Sequence, residues 1–291
     1  MKVNKYTLLI TTCLMLLGTT SCFQDMDQDP AFDYPPVYVP AYNPLKVYLP
    51  FDQNEKNESN YRYSMISVGE KYADGLIGKT FESSDGAYII ATPPVSLTDT
   101  IISLGSFTYS LWINSPRNEN VQGILSIAKK DHSLGYVELY FENNNNGNQA
   151  YIKGYMRTVP AGGSPKDTWL DVGSVQPEGS SRVEDVWNKW THLVFRYNGA
   201  TSSFSIFRDG EAALLNRQLG GGTFGPLMFD PALCDGKIVF GAFSALAGQT
   251  TGKQDSWVIN SKTFQGKYDQ IRFYNKALSD SQIKALYANK E

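Results

Sequence analysis

The sequence predicts an all-β chain, two antiparallel sheets facing each other in a sandwich with a short C-terminal helix, and three observations lead there. The segment Lys267 to Tyr274 alternates, with Asp269, Ile271 and Phe273 on one face and Tyr268, Gln270, Arg272 and Tyr274 on the other. That period belongs to a strand with one buried face. Trp190 to Asn198 and Ser203 to Arg208 are further alternating runs, each followed by a turn dipeptide, Asn198-Gly199 and Asp209-Gly210. They predict a three-strand antiparallel unit. The 291 residues are rich in Tyr, Phe, Gly and Asn and lack long helical heptads, which suits many short strands joined by turns.

Taken in order, the chain begins with Lys2 and Lys5 before an apolar run from Tyr6 to Gly18, too short to span a bilayer. Residues 1–21 read as a signal peptide. Thr19, Thr20 and Ser21 before Cys22 resemble a bacterial lipobox, in a relaxed form with Thr where Leu is commonest. The resemblance implies that Cys22 becomes the lipidated first residue; an ordinary secretory signal cut nearby is the alternative. Asp25, Asp27 and Asp29 resemble the surface-export tags of lipoproteins in glycan-harvesting Gram-negative bacteria, or else serve linker solubility. The expected location is the outer membrane, exposed at the cell surface. Residues 22–44 carry Pro30, Pro35, Pro36, Pro40 and Pro44 and suit an extended tether. Residues 45–291 are expected to form one domain.

Within that domain, Leu45 to Asp52 alternates Leu45, Val47, Leu49 and Phe51 inward, with Pro50 confining it to an edge or a strand end. Gln53 to Asp74 reads as a polar loop, and Gly78 to Thr92, interrupted by Asp85-Gly86, as a hairpin. Ser106 to Asn114 places Phe107, Tyr109, Leu111 and Ile113 on one face and Trp112 on the other, against a second layer. Gly123 to Ala128, Gly135 to Glu142, Gln149 to Arg157 and Thr168 to Val172 continue the meander, with Asn143 to Asn148 as a turn. Asn216 to Ser261 reads mostly as Gly-rich loop around one strand, Lys237 to Phe243. At the end, Ser279 caps a helix over Asp280 to Asn289, Gln282 completes a capping box, and Leu278 and Ile283 form a hydrophobic staple.

The run Gly266 to Ser279 (GKYDQIRFYNKALS) closely resembles the closing strand of laminin G-like domains in the concanavalin A-like jelly-roll superfamily. Ser106 to Asn114 (SFTYSLWIN), Trp190 to Asn198 (WTHLVFRYN) and Phe204 to Gly210 (FSIFRDG) resemble the same family in the same order. The resemblance covers roughly Leu45 to Tyr287 and implies a sandwich of the kind that hosts lectins, adhesins, hydrolases and spacers. The expected function is a non-catalytic, carbohydrate-binding surface lipoprotein that assists polysaccharide capture in an outer-membrane uptake complex. A protein–protein adhesion or scaffold lipoprotein is the first alternative and a degenerate glycoside hydrolase the second. The net charge of −3, from 26 basic and 29 acidic residues interspersed, offers no basic patch for nucleic acid.

Candidate site residues divide by chemistry. The superfamily includes laminarinase-like glucanases with an E-x-D-x-E strand motif. Here Glu138 and Glu142 share a face with Tyr140 where the central Asp belongs, so the group that would tune a catalytic pair about 5 to 5.5 Å apart is missing. The expectation is two solvated glutamates on an exposed sheet face and no enzyme. His192 reads as a hydrogen-bonded structural histidine and Cys234 as a small buried residue. With Cys13 in the signal and Cys22 as anchor, Cys234 has no disulfide partner in the mature chain. Metal-ligating Cys and His clusters are absent from the sequence, so zinc is not expected. Asp269 has the parity of the packed face, where a carboxylate needs a partner. The resemblance implies a structural calcium ion held by Asp269 and Asp52, with an internal hydrogen bond or ion pair as the alternative. For carbohydrate, Trp169, Trp187 and Trp257 fall outside the most regularly alternating strands, beside Asp167, Asp171, Asn188 and Asp255, with Arg157 nearby. Their rings can stack on sugar C–H faces while polar neighbours read hydroxyls, and lids on the core are the alternative.

Overall fold

The computed structural model describes residues 43–52, 61–94, 101, 104–143, 147–170 and 182–290. The signal segment, Cys22, Asp25, Asp27, Asp29, nearly all of the tether, residues 144–146 of the Asn-rich turn and Asp171 lie outside them. Among the described residues are sixteen strands. The first five are β1 (Leu45–Leu49), β2 (Ser64–Val68), β3 (Tyr72–Asp74), β4 (Lys79–Ser83) and β5 (Tyr88–Thr92). Next come β6 (Phe107–Asn114), β7 (Gln122–Ile127), β8 (Val137–Phe141), β9 (Ala150–Thr158), β10 (Lys166–Leu170) and β11 (Arg182–Val183). The last five are β12 (Thr191–Asn198), β13 (Ser203–Arg208), β14 (Glu211–Gln218), β15 (Ile238–Phe240) and β16 (Gly266–Tyr274). Two short helices, α1 (Ser256–Ile259) and α2 (Asp280–Ala288), flank β16 in the chain.

The strands form two antiparallel sheets. The first runs β14-β13-β12-β6-β16-β4-β3, with β1 beside the second half of β16. The second runs β10-β9-β8-β7-β15-β5-β2, with β11 beside β9. Alternate side chains of each sheet point into one shared core. Phe107, Tyr109, Leu111 and Ile113 of β6 and Leu193, Phe195 and Tyr197 of β12 belong to it, as do Leu139 and Phe141 of β8 and Ile152 and Met156 of β9. Tyr109 and Phe240 bring the two sheets together, with ring centroids 5.7 Å apart. Each such side chain contributes about 1.5–3 kcal/mol on burial, which is what holds a sandwich that has no disulfide among its described residues.

Helix α2 lies on the outer face of the first sheet, burying Leu278 and Ile283 against Val194, Phe207 and Tyr274. Its start is built as the sequence indicates: Gln282 N–H donates to Ser279 Oγ at 3.2 Å and Ser279 N–H to Gln282 Oε1 at 2.9 Å. Trp112 turns outward from β6 and stacks under Tyr287 of α2, 5.5 Å between centroids, which is the second layer its parity required.

Several expectations are corrected. Gly78 to Thr92 is not a hairpin: β4 pairs with β3 and β16 in the first sheet, while β5 pairs with β2 and β15 in the second. The Asp85-Gly86 turn instead carries the chain from one sheet to the other. Part of the expected polar loop, Gln53 to Asp74, is paired as β2 and β3, and residues 53–60 lie outside the described residues. In β16 the simple alternation breaks. Gln270 sits at φ 51°, the register shifts between Asp269 and Arg272, and Tyr268 joins Ile271 and Phe273 in the core. A bulge adds one residue and so resets which face the preceding side chains take.

Candidate functional site

Two of the three loop tryptophans come together on the outer face of the second sheet. Trp169 lies on the edge strand β10, paired with Tyr155 of β9, and its ring meets Tyr155 edge-on at 5.0 Å. Trp257 lies on the short helix α1, which is held down by the buried Val258. Its ring rests on Tyr140 and Phe243, 5.7 Å from each. The two indoles are 6.2 Å apart, tilted by 49°, and remain 44% and 39% exposed. They are therefore pinned from beneath by aromatics and open on top. Arg157 and Asp167, cross-strand partners on the same face, form an ion pair of 2.7 Å beside Trp169. On the other side, Asp255 at the start of α1 accepts from Ser133 Oγ at 3.0 Å and pairs with Lys253 at 3.3 Å. An apolar surface of two mutually tilted rings, flanked by fixed donors and acceptors, results.

Trp187 is corrected. It is 3% exposed, meets Phe141 edge-on at 5.0 Å, and donates from Nε1 to the Gln149 carbonyl at 3.0 Å. Its indole belongs to the sandwich core with Val186, so it offers no face to a ligand. Tyr140 and Tyr155 support the exposed pair; sequence names Tyr140 only as the residue in place of a motif Asp and does not single out Tyr155, and their outward parity on β8 and β9 is the available signal for this role.

The carboxylates are also not as expected. Glu138 is fully buried, sealed under the segment that carries α1. Its Oε1 accepts from Gly135 N–H at 2.6 Å, Ser126 Oγ at 2.8 Å and Ser244 Oγ at 3.4 Å, and Oε2 has no partner among the described residues. A Cβ at residue 135 would stand 2.2 Å from the Ile127 carbonyl oxygen and 2.9 Å from Oε1, so glycine is required where the chain passes this close. Burial pushes the Glu138 carboxyl up to about 8 in spite of these donors. Glu142 pairs with Lys153 at 2.9 Å. Between them on the same strand face, Tyr140 is packed under Phe243 and Trp257.

Asp269, in the β16 bulge, reaches the β3–β4 turn. Its Oδ2 accepts from Leu76 N–H at 2.7 Å and Ile77 N–H at 3.4 Å, and Oδ1 from Gln270 N–H at 2.9 Å. Burial, aided by the charge of Asp52, raises its carboxyl to about 7 against the pull of those three amides. Asp52 lies against Gly78 at the far end of the same turn, where the backbone is left-handed at φ 56°. The hydrogen-bonding alternative is thus realised at Asp269. The pair also supplies two hard oxygen donors of the type calcium takes, out of the about six to eight it needs.

His192 is buried, hydrogen-bonded through Nε2 to Ser110 Oγ at 2.8 Å, and burial next to Arg272 lowers it to about 3. It is a neutral packing residue. Cys234 is buried and free, its thiol pushed up to about 11 chiefly by burial, the opposite of a reactive cysteine.

The laminin G family model described as the concanavalin A-like lectin/glucanases superfamily matches residues 88–284. Among solved structures, the binding domain of botulinum neurotoxin DC in complex with SialylT is similar at 14% identity and a TM-score of 0.53, over 86% of this chain and 52% of that one. The botulinum neurotoxin serotype G binding domain is similar at 14% identity and a TM-score of 0.52, over 84% and 50%. The DC binding domain in complex with rat synaptotagmin II is similar at 12% identity and a TM-score of 0.51, over 85% and 52%. The chain spans about half the length of these structures, and at such identities the likeness is one of fold. No curated protein matches the chain.

Proposed function

The chain belongs to the concanavalin A-like lectin/glucanases superfamily, and on that premise we propose that it is a non-catalytic carbohydrate-binding protein whose contact surface is the Trp169–Trp257 platform. The observation that carries this reading is the convergence of two half-exposed indoles from separate segments, 6.2 Å apart, with the Arg157–Asp167 pair alongside. Sugar rings present apolar C–H faces to such a surface, and the flanking polar groups fix their orientation. The burial of Glu138 beneath Ser244 supports binding without hydrolysis. The similar botulinum neurotoxin DC binding domain forms complexes with SialylT and with rat synaptotagmin II, which fits a recognition role for this fold. The test is electrophoresis through gels containing plant, host and microbial polysaccharides. Retardation of wild type by one of them, lost in Trp169→Ala and Trp257→Ala, supports the reading; unchanged retardation in both variants overturns the platform.

The same proposal places the protein on the outer membrane, facing outward, as a lipoprotein anchored through Cys22 and feeding captured polysaccharide to an uptake complex. What supports it is the signal-like segment 1–21 with Cys22 directly after small residues. Acyl chains add about 0.8 kcal/mol per buried methylene, so a multiply acylated Cys22 gives stable attachment. A Cys22→Ala variant is expected in the soluble fraction, and its persistence in membranes contradicts the anchor. Calcium at Asp52 and Asp269 is a further part of the proposal, resting on the two neighbouring carboxylates and the raised Asp269 pKa. Added calcium is expected to raise the melting temperature above that in chelator, and equal melting leaves Asp269 to its backbone amides alone.

A further inference from the structure

On the opposite side of the sandwich from the tryptophan platform, the outer face of the first sheet is only partly covered by α2. Where α2 packs, the sheet presents Val194 and Phe207. Beyond the entry to the helix it presents two rows of polar side chains fixed by strand register. Asn198 of β12 stands opposite Ser203 of β13, which stands opposite Gln218 of β14. In the next row Arg196 stands opposite Ser205, and Asn216 of β14 closes the row by accepting from Ser205 Oγ at 3.3 Å. Asn216 takes this place through a left-handed backbone at φ 49°, beside a register shift between β13 and β14, and its own N–H donates to Ser205 Oγ at 2.9 Å. Asparagine is among the few residues that adopt this conformation readily.

These rows form the floor of a cavity of about 520 Å³, walled by Lys276 to Ser279. That volume is in the ~300–1,000 Å³ range of small-ligand sites. Arg196 is nine-tenths buried and rigidly held: its guanidinium donates to the Leu278 carbonyl at 2.8 Å, Asp280 Oδ1 at 2.6 Å, and Ser205 Oγ and Asn216 Oδ1 at 3.3 Å each. It lies 4.8 Å over the Phe207 ring. Asp280 offsets its charge. Lys276, exposed on the wall, has no carboxylate or hydrogen-bond acceptor for its ammonium among the described residues. No Asp or Glu lines the cavity, while amides of Asn198, Asn216 and Gln218 and hydroxyls of Thr201 and Ser203 do.

We propose that this cavity is a second ligand site, distinct from the tryptophan platform, and that it takes an anionic saccharide unit, carboxylated or sulfated, whose charge meets Lys276 and whose hydroxyls meet the amide and hydroxyl rows. An uncharged sugar would draw no attraction from the ammonium. A bare anion would leave the two polar rows unused.

The test is calorimetric titration of the full chain with trigalacturonate, with its methyl ester, with a sulfated disaccharide and with inorganic sulfate. Binding of trigalacturonate or the sulfated disaccharide, with the ester weaker by roughly tenfold or more, is expected, since a hydrogen bond to a charged group is worth that much. Lys276→Gln and Asn198→Asp, both at positions that reach solvent, are each expected to lower affinity by roughly tenfold or more while melting like wild type. Trp169→Ala is expected to leave this binding unchanged, which separates it from the platform. Equal binding of acid and ester, indifference to both cavity substitutions, loss in Trp169→Ala, or no binding by either acidic saccharide overturns the proposal. Inorganic sulfate binding as tightly as the sulfated disaccharide overturns its saccharide part.

Discussion

Glu138 makes the sharpest statement at the scale of single residues. Folded, it holds its proton to about pH 8; unfolded, it ionises near 4.5. Between those values the folded state binds the extra proton, so its contribution is fully present below pH 4.5 and is lost as pH rises through 8, by about 1.4 kcal/mol per unit. Glu138→Gln keeps the acceptor for Gly135 and removes the ionisation. Denaturation across pH 5 to 8 is expected to show a flatter profile for the variant and higher stability than wild type near pH 8. His192 has the opposite sign: the unfolded chain takes a proton near 6.5 while the folded ring stays neutral to about 3, so its contribution falls as pH drops below 6.5. Trp187 and Trp169 separate in the same way by environment. Trp187→Ala opens the core and is expected to cost about 3–5 kcal/mol. Trp169→Ala is expected to cost no more than about 1 kcal/mol in denaturant titration, because its ring is half-exposed. Sequence alone could not tell these two apart, since each has one polar and one apolar neighbour, Thr168 and Leu170 or Val186 and Asn188, and they differ in what lies beneath them.

At the scale of elements, local signals and long-range ones behaved differently. The end of the chain was legible in detail because a capping box and a staple are complete within six residues. Ser279→Ala is expected to lower stability by about 1 kcal/mol in thermal or chemical denaturation, as loss of an N-cap acceptor does. The alternation of β6 likewise named its core face correctly. What failed was whatever depended on a partner strand. Asp85-Gly86 is a turn in both readings, but whether the flanking strands pair with each other or cross the sandwich is decided by β16 and β15, far later in the chain. The bulge at Asp269–Gln270 is invisible to a period-two count, yet it moves Tyr268 into the core and turns Asp269 toward the β3–β4 amides. The expectation that Asp269 needs a partner survived, with the partners being backbone N–H groups.

At the scale of the whole molecule, a sandwich has one shared core and two outer faces, and here the outer faces differ in chemistry. The second sheet carries aromatics that pin two exposed indoles, and the first carries polar rows beside a helix. The fold class was readable from alternation and turn dipeptides. The site was readable only as residue types, because convergence of Trp169 and Trp257 depends on how β10 and the 244–262 segment lie over one sheet. The most direct test of that convergence is affinity electrophoresis of wild type and the Trp169→Ala/Trp257→Ala double variant through gels containing a panel of polysaccharides. The account predicts that at least one polysaccharide retards the wild type and that the double variant, still folded, migrates freely through it. Retardation of both alike, or free migration of the wild type through every gel, contradicts it.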